Sequence, residues 1–378
     1  MILLYQPYYH RKGHFSHFLN LYYSKIKANN WPCQAVLGIH DDIHGTLKQN
    51  LDFHLFNNRT VRRDKEILNN IKGFRIVADI LEDSAVTAIH FLDMEPVLLA
   101  LLCKRYSHLF TGKRIILHQH SVNHYYQPQT LPKKMYALAA KTAFRYMLQF
   151  DFKVTTNGPF ISDFLQESGF VSEDTLITSS WGHQPVPNTN LEQKKTNTFL
   201  FPGIIRQDKN PEIMIDAFSR ITEPCTLIIA GYPKDYTKNE LHLMAKRLED
   251  SPVEVEWHLG YLSDSKLDQL YRQSQFVVLP YHQSNKSSSG PLIAALQYQC
   301  IPIVSHYGER GRLVADHRLG YSFTFQDDNL SDVIVRALQD HQKNQQLLSN
   351  VQQIKHKYTW DHIIDELINK KNIYKTTY

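Results

Sequence analysis

Apolar residues fall along the chain in two patterns, short unbroken runs and longer stretches in which they return every three or four positions, and the two alternate. The runs predict strands and the stretches predict amphipathic helices. In the first half the predicted strands are Met1–Tyr5, Ala35–Ile39, Ala88–Leu92, Arg114–His118 and Lys153–Thr156. A helix is predicted over Phe15–Asn29, with Phe15, Phe18, Leu19, Tyr22 and Ile26 on one face, and others over 60–82, 95–107, 131–149 and 159–168. In the second half, strands at Phe199–Pro202, Cys225–Ala230, Val253–Leu259, Phe276–Pro280 and Ile301–Ser305 alternate with helices over 210–220, 237–248, 264–273 and 290–299. The final stretch, Tyr358–Tyr374, sets Trp360, Ile363, Leu367 and Ile368 on an apolar face.

Such alternation implies parallel sheets, hence an α/β protein. One break in the pattern stands out. Residues 184–198 hold two prolines, three asparagines and almost no apolar side chains, and read as a linker near the middle of the chain. The expected architecture is two Rossmann-like domains facing each other across a cleft, with ligands at the carboxyl ends of the strands.

Composition narrows the function classes. With 378 residues, 42% hydrophobic and 21% charged, the chain can bury a core, which excludes wholesale disorder. The net charge of +5 is mild; basic and acidic residues read as mixed with no basic run, which argues against nucleic acid as a partner. Cys33, Cys103, Cys225 and Cys300 form no CxxC pair, so they read as reduced thiols of a cytoplasmic protein. No apolar run is long enough to span a bilayer, and the opening MILLYQPYYHRKGH lacks the charge order of a signal peptide.

The most informative segment is FLFPGIIRQDKNPEIMIDAF, residues 199–218. A strand ends in Gly203, a loop carries Arg206 and Lys209, and Pro211 opens a helix. Two cations beside a helix N-terminus at a sheet's carboxyl edge make an anion site, suited to phosphate. Farther on, LIIAGYP ends a strand in Gly231, and a Gly260–Tyr261 turn precedes a helix begun near Asp264. In NKSSSGPLIAALQYQCIPIV, the loop Ser287, Ser288, Ser289, Gly290 leads into Pro291 and Leu292, a second helix N-terminus that could receive an anion.

Taken in order, these segments resemble the GT-B glycosyltransferases, most closely the retaining enzymes of family 4, over about residues 199–375. The family's G-x-x-R-x-x-K element matches Gly203, Arg206 and Lys209. Its A-G strand end matches Ala230–Gly231, its G-[FY]-[VL]-S-D-x-x-L element matches Gly260 to Leu267, and its LPY strand end matches Leu279–Tyr281. A tryptophan early in the last helix and a tyrosine near its end match Trp360 and Tyr374. The resemblance implies an acceptor domain over 1–190, a nucleotide-sugar donor domain over 191–357, and a helix over 358–378 that crosses back onto the first. It also implies a basic glycine loop at Gly13 and His14 near the donor, and a cleft-facing histidine, best matched by His118 with His120 as the alternative.

Two departures bear on activity. Aligned on Pro302, the family's paired glutamates fall on Ser287 and Ala295, and its usual glycine on Cys300. Ser289–Gly290 looks like the variant loop of some branches. No Asp-x-Asp occurs, so no metal is expected and Arg206 and Lys209 would take its place. The resemblance therefore implies a metal-independent transferase with His118, Arg206 and Lys209 at its centre. Its donor would be a nucleotide sugar and its acceptor a glycan or lipid-linked molecule, with peripheral contact to the inner membrane face and no nucleic acid. The alternative is a catalytically degenerate GT-B protein that binds glycans or serves as a scaffold.

Overall fold

The computed structural model describes residues 1–8, 14–39, 52–57, 63–83, 85–186, 194–326 and 330–375, with the side chains of 14–17, 57, 63–66 and 83 outside that description. The chain forms two compact units, Met1–Ser180 with Trp360–Tyr378, and Trp181–Thr359.

The first unit holds strands β1 (Ile2–Gln6), β2 (Cys33–Ile39), β3 (Phe53–Asn57), β4 (Ala88–Phe91), β5 (Arg114–Gln119), β6 (Asp151–Thr156) and β7 (Leu176–Thr178). They form one sheet in the order β3-β2-β1-β4-β5-β6-β7, and every pairing is parallel. Its helices are α1 (His14–Ala28), α2 (Arg63–Asp83), α3 (Pro96–Arg105), α4 (Ser107–Phe110), α5 (Leu131–Met147) and α6 (Pro159–Glu167).

The second unit repeats the plan. Its strands β8 (Lys195–Pro202), β9 (Cys225–Gly231), β10 (Val253–Leu259), β11 (Ser274–Leu279), β12 (Ile301–Ser305) and β13 (Tyr321–Phe323) pair in parallel in the order β10-β9-β8-β11-β12-β13. Helices α7 (Pro211–Phe218), α8 (Lys238–Ala245), α9 (Asp264–Gln273), α10 (Gly290–Gln297), α11 (Gly308–His317), α12 (Leu330–Gln339) and α13 (His341–Ile354) cover it. After them α14 (Trp360–Asp365) belongs to the first unit.

The period of two along each strand divides the second unit's core into two layers. Phe199, Phe201, Leu227, Ile229, Phe276 and Val278 pack on one face, and Leu200, Ile228, Ala230, Val277 and Leu279 on the other. In the first unit Leu3, Tyr5, Ile89, Phe91, Ile115 and Leu117 form the larger core. On that sheet's opposite face, α1 and the C-terminal segment meet: Phe18 packs against Trp360 with ring centroids 5.0 Å apart, and Lys25 pairs with Asp361 at 3.0 Å.

The α/β class and the parallel sheets are those the hydropathy pattern predicts. Strands β3, β7 and β13 and helices α11, α12 and α13 go beyond it. β7 and β13 are three residues each, too short for a period to show. β8 begins at Lys195, inside the expected linker, because its first residues are polar and partly exposed and only Thr198 onward is buried. β5 continues one residue past His118, with Gln119 paired to Thr156.

Candidate functional site

In each sheet the order of connection reverses once, between β1 and β4 and between β8 and β11. Loops leaving the two central strands there run in opposite directions and leave a crevice at the carboxyl ends. In the second unit this point gathers the end of β8, the end of β11 and the start of α10.

The strand ends approach closely because their glycines permit it. Gly203 N donates to Ala230 O at 2.8 Å, and Gly260 N donates to Gly231 O at 3.0 Å. A Cβ on Gly231, whose φ is +147°, would stand 1.8 Å from Gly203 O. A Cβ on Gly203 would stand 3.1 Å from Lys209 Nζ and 3.6 Å from Pro291 Cγ, so three of the expected donor-site residues converge. Gly290 lies beside them, where a Cβ would be 3.6 Å from Trp181 Nε1.

Lys209 and Arg206 differ in their surroundings. Lys209 is 5% exposed; its ammonium donates to Pro202 O at 3.4 Å and lies 5.2 Å from the Tyr281 ring centroid. Among the described residues no carboxylate pairs with it. Arg206 is 38% exposed and holds Asp208 in a two-pronged pair, Nε to Oδ1 at 3.0 Å and Nη2 to Oδ2 at 3.1 Å. Asn210, in the left-handed region at φ +49°, caps α7 and donates from Nδ2 to Pro280 O at 2.9 Å, tying this loop to the end of β11.

A second loop is braced from below. Arg310, on α11, is 1% exposed. Its Nη1 donates to Asn285 Oδ1 at 3.0 Å and to Ser287 O at 2.7 Å, and its Nη2 to Asn285 O at 2.8 Å. Asn285 in turn donates from Nδ2 to Asp208 Oδ2 at 2.8 Å, which links Arg310 to Arg206. Burial lowers the Arg310 guanidinium to about 10, and burial followed by Arg310 lowers the Lys286 ammonium. For Tyr281, burial raises the phenol, yet Lys209, the Ser289 hydroxyl and Arg310 together bring it below its ordinary value. The Arg310 shift records burial, while those of Lys286 and Tyr281 also record neighbouring positive charge, which an anion would relieve.

The loop ends at α10. Ser289 is its N-cap, accepting from Leu292 N at 3.3 Å, with Pro291 in the first turn. Ser287 donates to Asn285 Oδ1 at 3.0 Å, and Ser288 is half-buried. Leu292 and Ala295 are buried in the apolar layer beneath the helix. Tyr261, 68% exposed, stacks on Tyr232, 39% exposed, with centroids 4.5 Å apart and planes 16° apart. Asp208, Asn285, Tyr281, Lys286 and Arg310 were absent from the sequence-derived site. Asp208 stands between the two expected cations in sequence, and that position was its one available signal.

In the first unit His118 and His120 sit in one directed chain. Thr155 Oγ1 lies 2.9 Å from His118 Nδ1, His118 Nε2 lies 2.7 Å from Asn157 Oδ1, Asn157 Nδ2 lies 2.9 Å from His120 Nδ1, and His120 Nε2 lies 2.7 Å from Leu92 O. Thr155 as the first donor and Leu92 O as the last acceptor satisfies every link with both rings neutral. A direct contact between His118 and a sugar requires one of these bonds to be given up. Gly13 lies outside the described residues, and His14 opens α1 with its side chain outside them. Among the described residues no three His, Cys, Asp or Glu cluster so as to hold a metal ion.

Residues 185–354 match the family described as glycosyl transferases group 1. No curated protein matches the chain. Among solved structures, a glycosyltransferase from Rickettsia africae ESF-5 superposes with a TM-score of 0.70 at 14% identity, covering 100% of this chain and 99% of that one. Anabaena Alr3699/HepE in complex with UDP-glucose gives 0.70 at 14% identity, with 98% and 99% covered. The sucrose-phosphate synthase of Thermosynechococcus elongatus gives 0.71 at 14% identity, with 98% of each chain covered. At such identities the likeness is one of fold.

Proposed function

We propose that this chain, a protein of the GT-B fold whose residues 185–354 form a glycosyl transferases group 1 domain, moves a sugar from a nucleotide-diphosphate donor to a hydroxyl of a glycan or lipid-linked acceptor. The observation that carries the reading is the buried Lys209 ammonium, which has no carboxylate partner among the described residues and stands beside Gly203, Tyr281 and the first turn of α10. A buried cation is costly unless paired, and a diphosphate would pair it. The UDP-glucose held by the Anabaena neighbour supports this donor class.

In the transfer, the bond between the sugar C1 and the diphosphate oxygen breaks, a bond from C1 to the acceptor oxygen forms, and the acceptor's proton leaves with the diphosphate. Negative charge grows on the leaving oxygen as the sugar becomes oxocarbenium-like. Lys209, Arg206 and the backbone at the start of α10, with Ser287, Ser288, Ser289 and Gly290, are preorganised to stabilise it. The base would rest near Gly231 on the Tyr232–Tyr261 stack, whose exposed rings offer a stacking face. Retention of anomeric configuration belongs to this reading, without a carboxylate pair of the glycosidase kind. So do a metal-independent mechanism, surface-polysaccharide or glycoconjugate synthesis, and a cytoplasmic location. His118 enters as a positioning residue, holding Asn157 and through it His120.

Ser287 and Ala295, in place of glutamates, favour a second reading in which the chain binds glycans or a partner enzyme without turnover. Incubation with UDP-sugars separates the two. Release of UDP that falls away in Lys209→Met supports transfer. The absence of both nucleotide-induced thermal stabilisation and sugar release supports the second reading.

A further inference from the structure

Tyr281 follows the end of β11 and is 4% exposed, packed in the apolar layer that also holds Leu279, Leu292 and Ala295. Its main chain is pinned, because its carbonyl oxygen accepts the Ser305 hydroxyl at 2.6 Å from the end of β12. Its own hydroxyl is not. Tyr281 Oη is buried and has no hydrogen-bond partner among the described residues. Phenylalanine would fill the same layer without that oxygen. A buried hydroxyl left unpaired has lost its water and gains nothing from the fold, so packing does not account for it.

The surroundings show what kind of group would pair it. The Lys209 ammonium lies 5.2 Å from the ring centroid and the Arg310 guanidinium 4.4 Å from it. Arg310 Nε, on the guanidinium stacked there, likewise has no hydrogen-bond partner among the described residues. Burial raises the Tyr281 phenol, but Lys209, the hydroxyl of Ser289 at the start of α10, and Arg310 outweigh it and lower the phenol. A phenol polarised by two cations in a dry place is a stronger hydrogen-bond donor than an isolated one. The neighbouring hydroxyls are engaged: Ser287 donates to Asn285 Oδ1, and Ser289 accepts from Leu292 N. Donors therefore converge on this point, and the group it lacks is an acceptor with negative charge.

We propose that Tyr281 is a further catalytic residue of the sugar transfer, its Oη–H donating a hydrogen bond to the terminal phosphoryl group of the leaving diphosphate between Lys209 and the first turn of α10. This rests on the reading of the second unit as the nucleotide-sugar site. The phenol keeps its proton, and no bond to it forms or breaks. Negative charge on that phosphoryl group grows as the bond to the sugar C1 breaks. The hydrogen bond is thus stronger to the departing diphosphate than to the intact donor, which is the condition for it to raise the rate.

Titration calorimetry of the full chain with UDP and with UDP-glucose, together with UDP-release rates, tests the proposal in wild type and in Tyr281→Phe. UDP carries the full charge of the departed group and UDP-glucose does not. Tyr281→Phe is expected to melt no lower than wild type, and to bind UDP about tenfold more weakly but UDP-glucose at most about threefold more weakly. With a UDP-sugar that the wild type turns over, it should lower kcat by roughly 10²-fold. Tyr281→Met also removes the ring against Arg310 and should lower the melting midpoint as well. A wild-type chain that binds neither ligand, or releases UDP from no UDP-sugar, overturns the donor reading and this inference together. Wild-type behaviour matched by Tyr281→Phe in affinity and rate overturns the inference and leaves the donor reading standing. Equal loss of affinity for both ligands, or loss confined to Tyr281→Met, makes Tyr281 a packing surface and overturns the catalytic assignment.

Discussion

The Arg310 guanidinium lies 4.4 Å from the ring centroid of Tyr281, stacked beneath the loop whose carbonyls it holds. Arginine suits the position because a planar fork can stack on a ring and donate in several directions at once. Arg310→Lys keeps the charge but loses the fork. It should raise the donor KM while changing kcat less, since the 285–289 loop would be less well ordered before binding. Arg310→Met leaves buried acceptors on Asn285 and Ser287 unpaired and should cost about 3 kcal/mol, read as a lower thermal midpoint. An unchanged KM in a folded Arg310→Lys enzyme would count against the brace.

Lys209 gives an opposite pair of effects. Removing a buried ammonium with no carboxylate partner among the described residues takes away a desolvation cost, so Lys209→Met should leave the free protein as stable as before or raise its stability by about 1–2 kcal/mol. The same change removes charge stabilisation from the leaving diphosphate and should lower kcat by roughly 10²–10³-fold. Stability gained while activity is lost is the expected signature of a functional group. Paired melting curves and UDP-release rates measure both. A destabilised variant would mean that Lys209 serves the fold.

The alternation of strands and helices was legible because each element carries its own period. The Gly203, Arg206 and Lys209 spacing and the Ser289 cap were legible because they are local. What joins them was not. Asp208 reaches Asn285, and Asn285 reaches Arg310, through contacts between residues far apart in the chain, which no periodicity records. His118 was placed by its strand, but its two occupied nitrogens depend on Thr155 and Asn157 from the neighbouring strand and the loop after it.

Gly231 tests how tightly the strand ends must approach. A methyl there would meet the Gly203 carbonyl oxygen at 1.8 Å, so Gly231→Ala must push β8 and β9 apart where the donor would sit. The expected cost is at least about 2–3 kcal/mol, with loss of nucleotide binding. Gly260→Ala is the control. Gly260 also has positive φ, at +140°, but a Cβ there meets nothing within 4 Å, so only backbone strain of about 1 kcal/mol should appear. Equal melting temperatures for the two variants would refute the steric argument.

The buried histidines predict how stability depends on pH. Burial, followed by the charge of His120, lowers His90 to about 3; burial lowers His120 to about 4 against the opposing hydrogen bond to Leu92 O. Both folded values lie below the unfolded value near 6.5. As pH falls below about 6.5 the unfolded chain takes up protons that the folded chain refuses, so stability is full above that pH and declines beneath it. The decline continues to about 4 for His120 and about 3 for His90. Between pH 8 and pH 5.5 the two together should remove about 3 kcal/mol. Thermal midpoints measured across that range should fall steadily, and His120→Gln should make the slope shallower by removing one of the two protonations. A flat profile from pH 8 to 5.5 would show that these rings are reached by protons without unfolding, against the burial of both and, for His120, against the directed chain from Thr155 to Leu92 O.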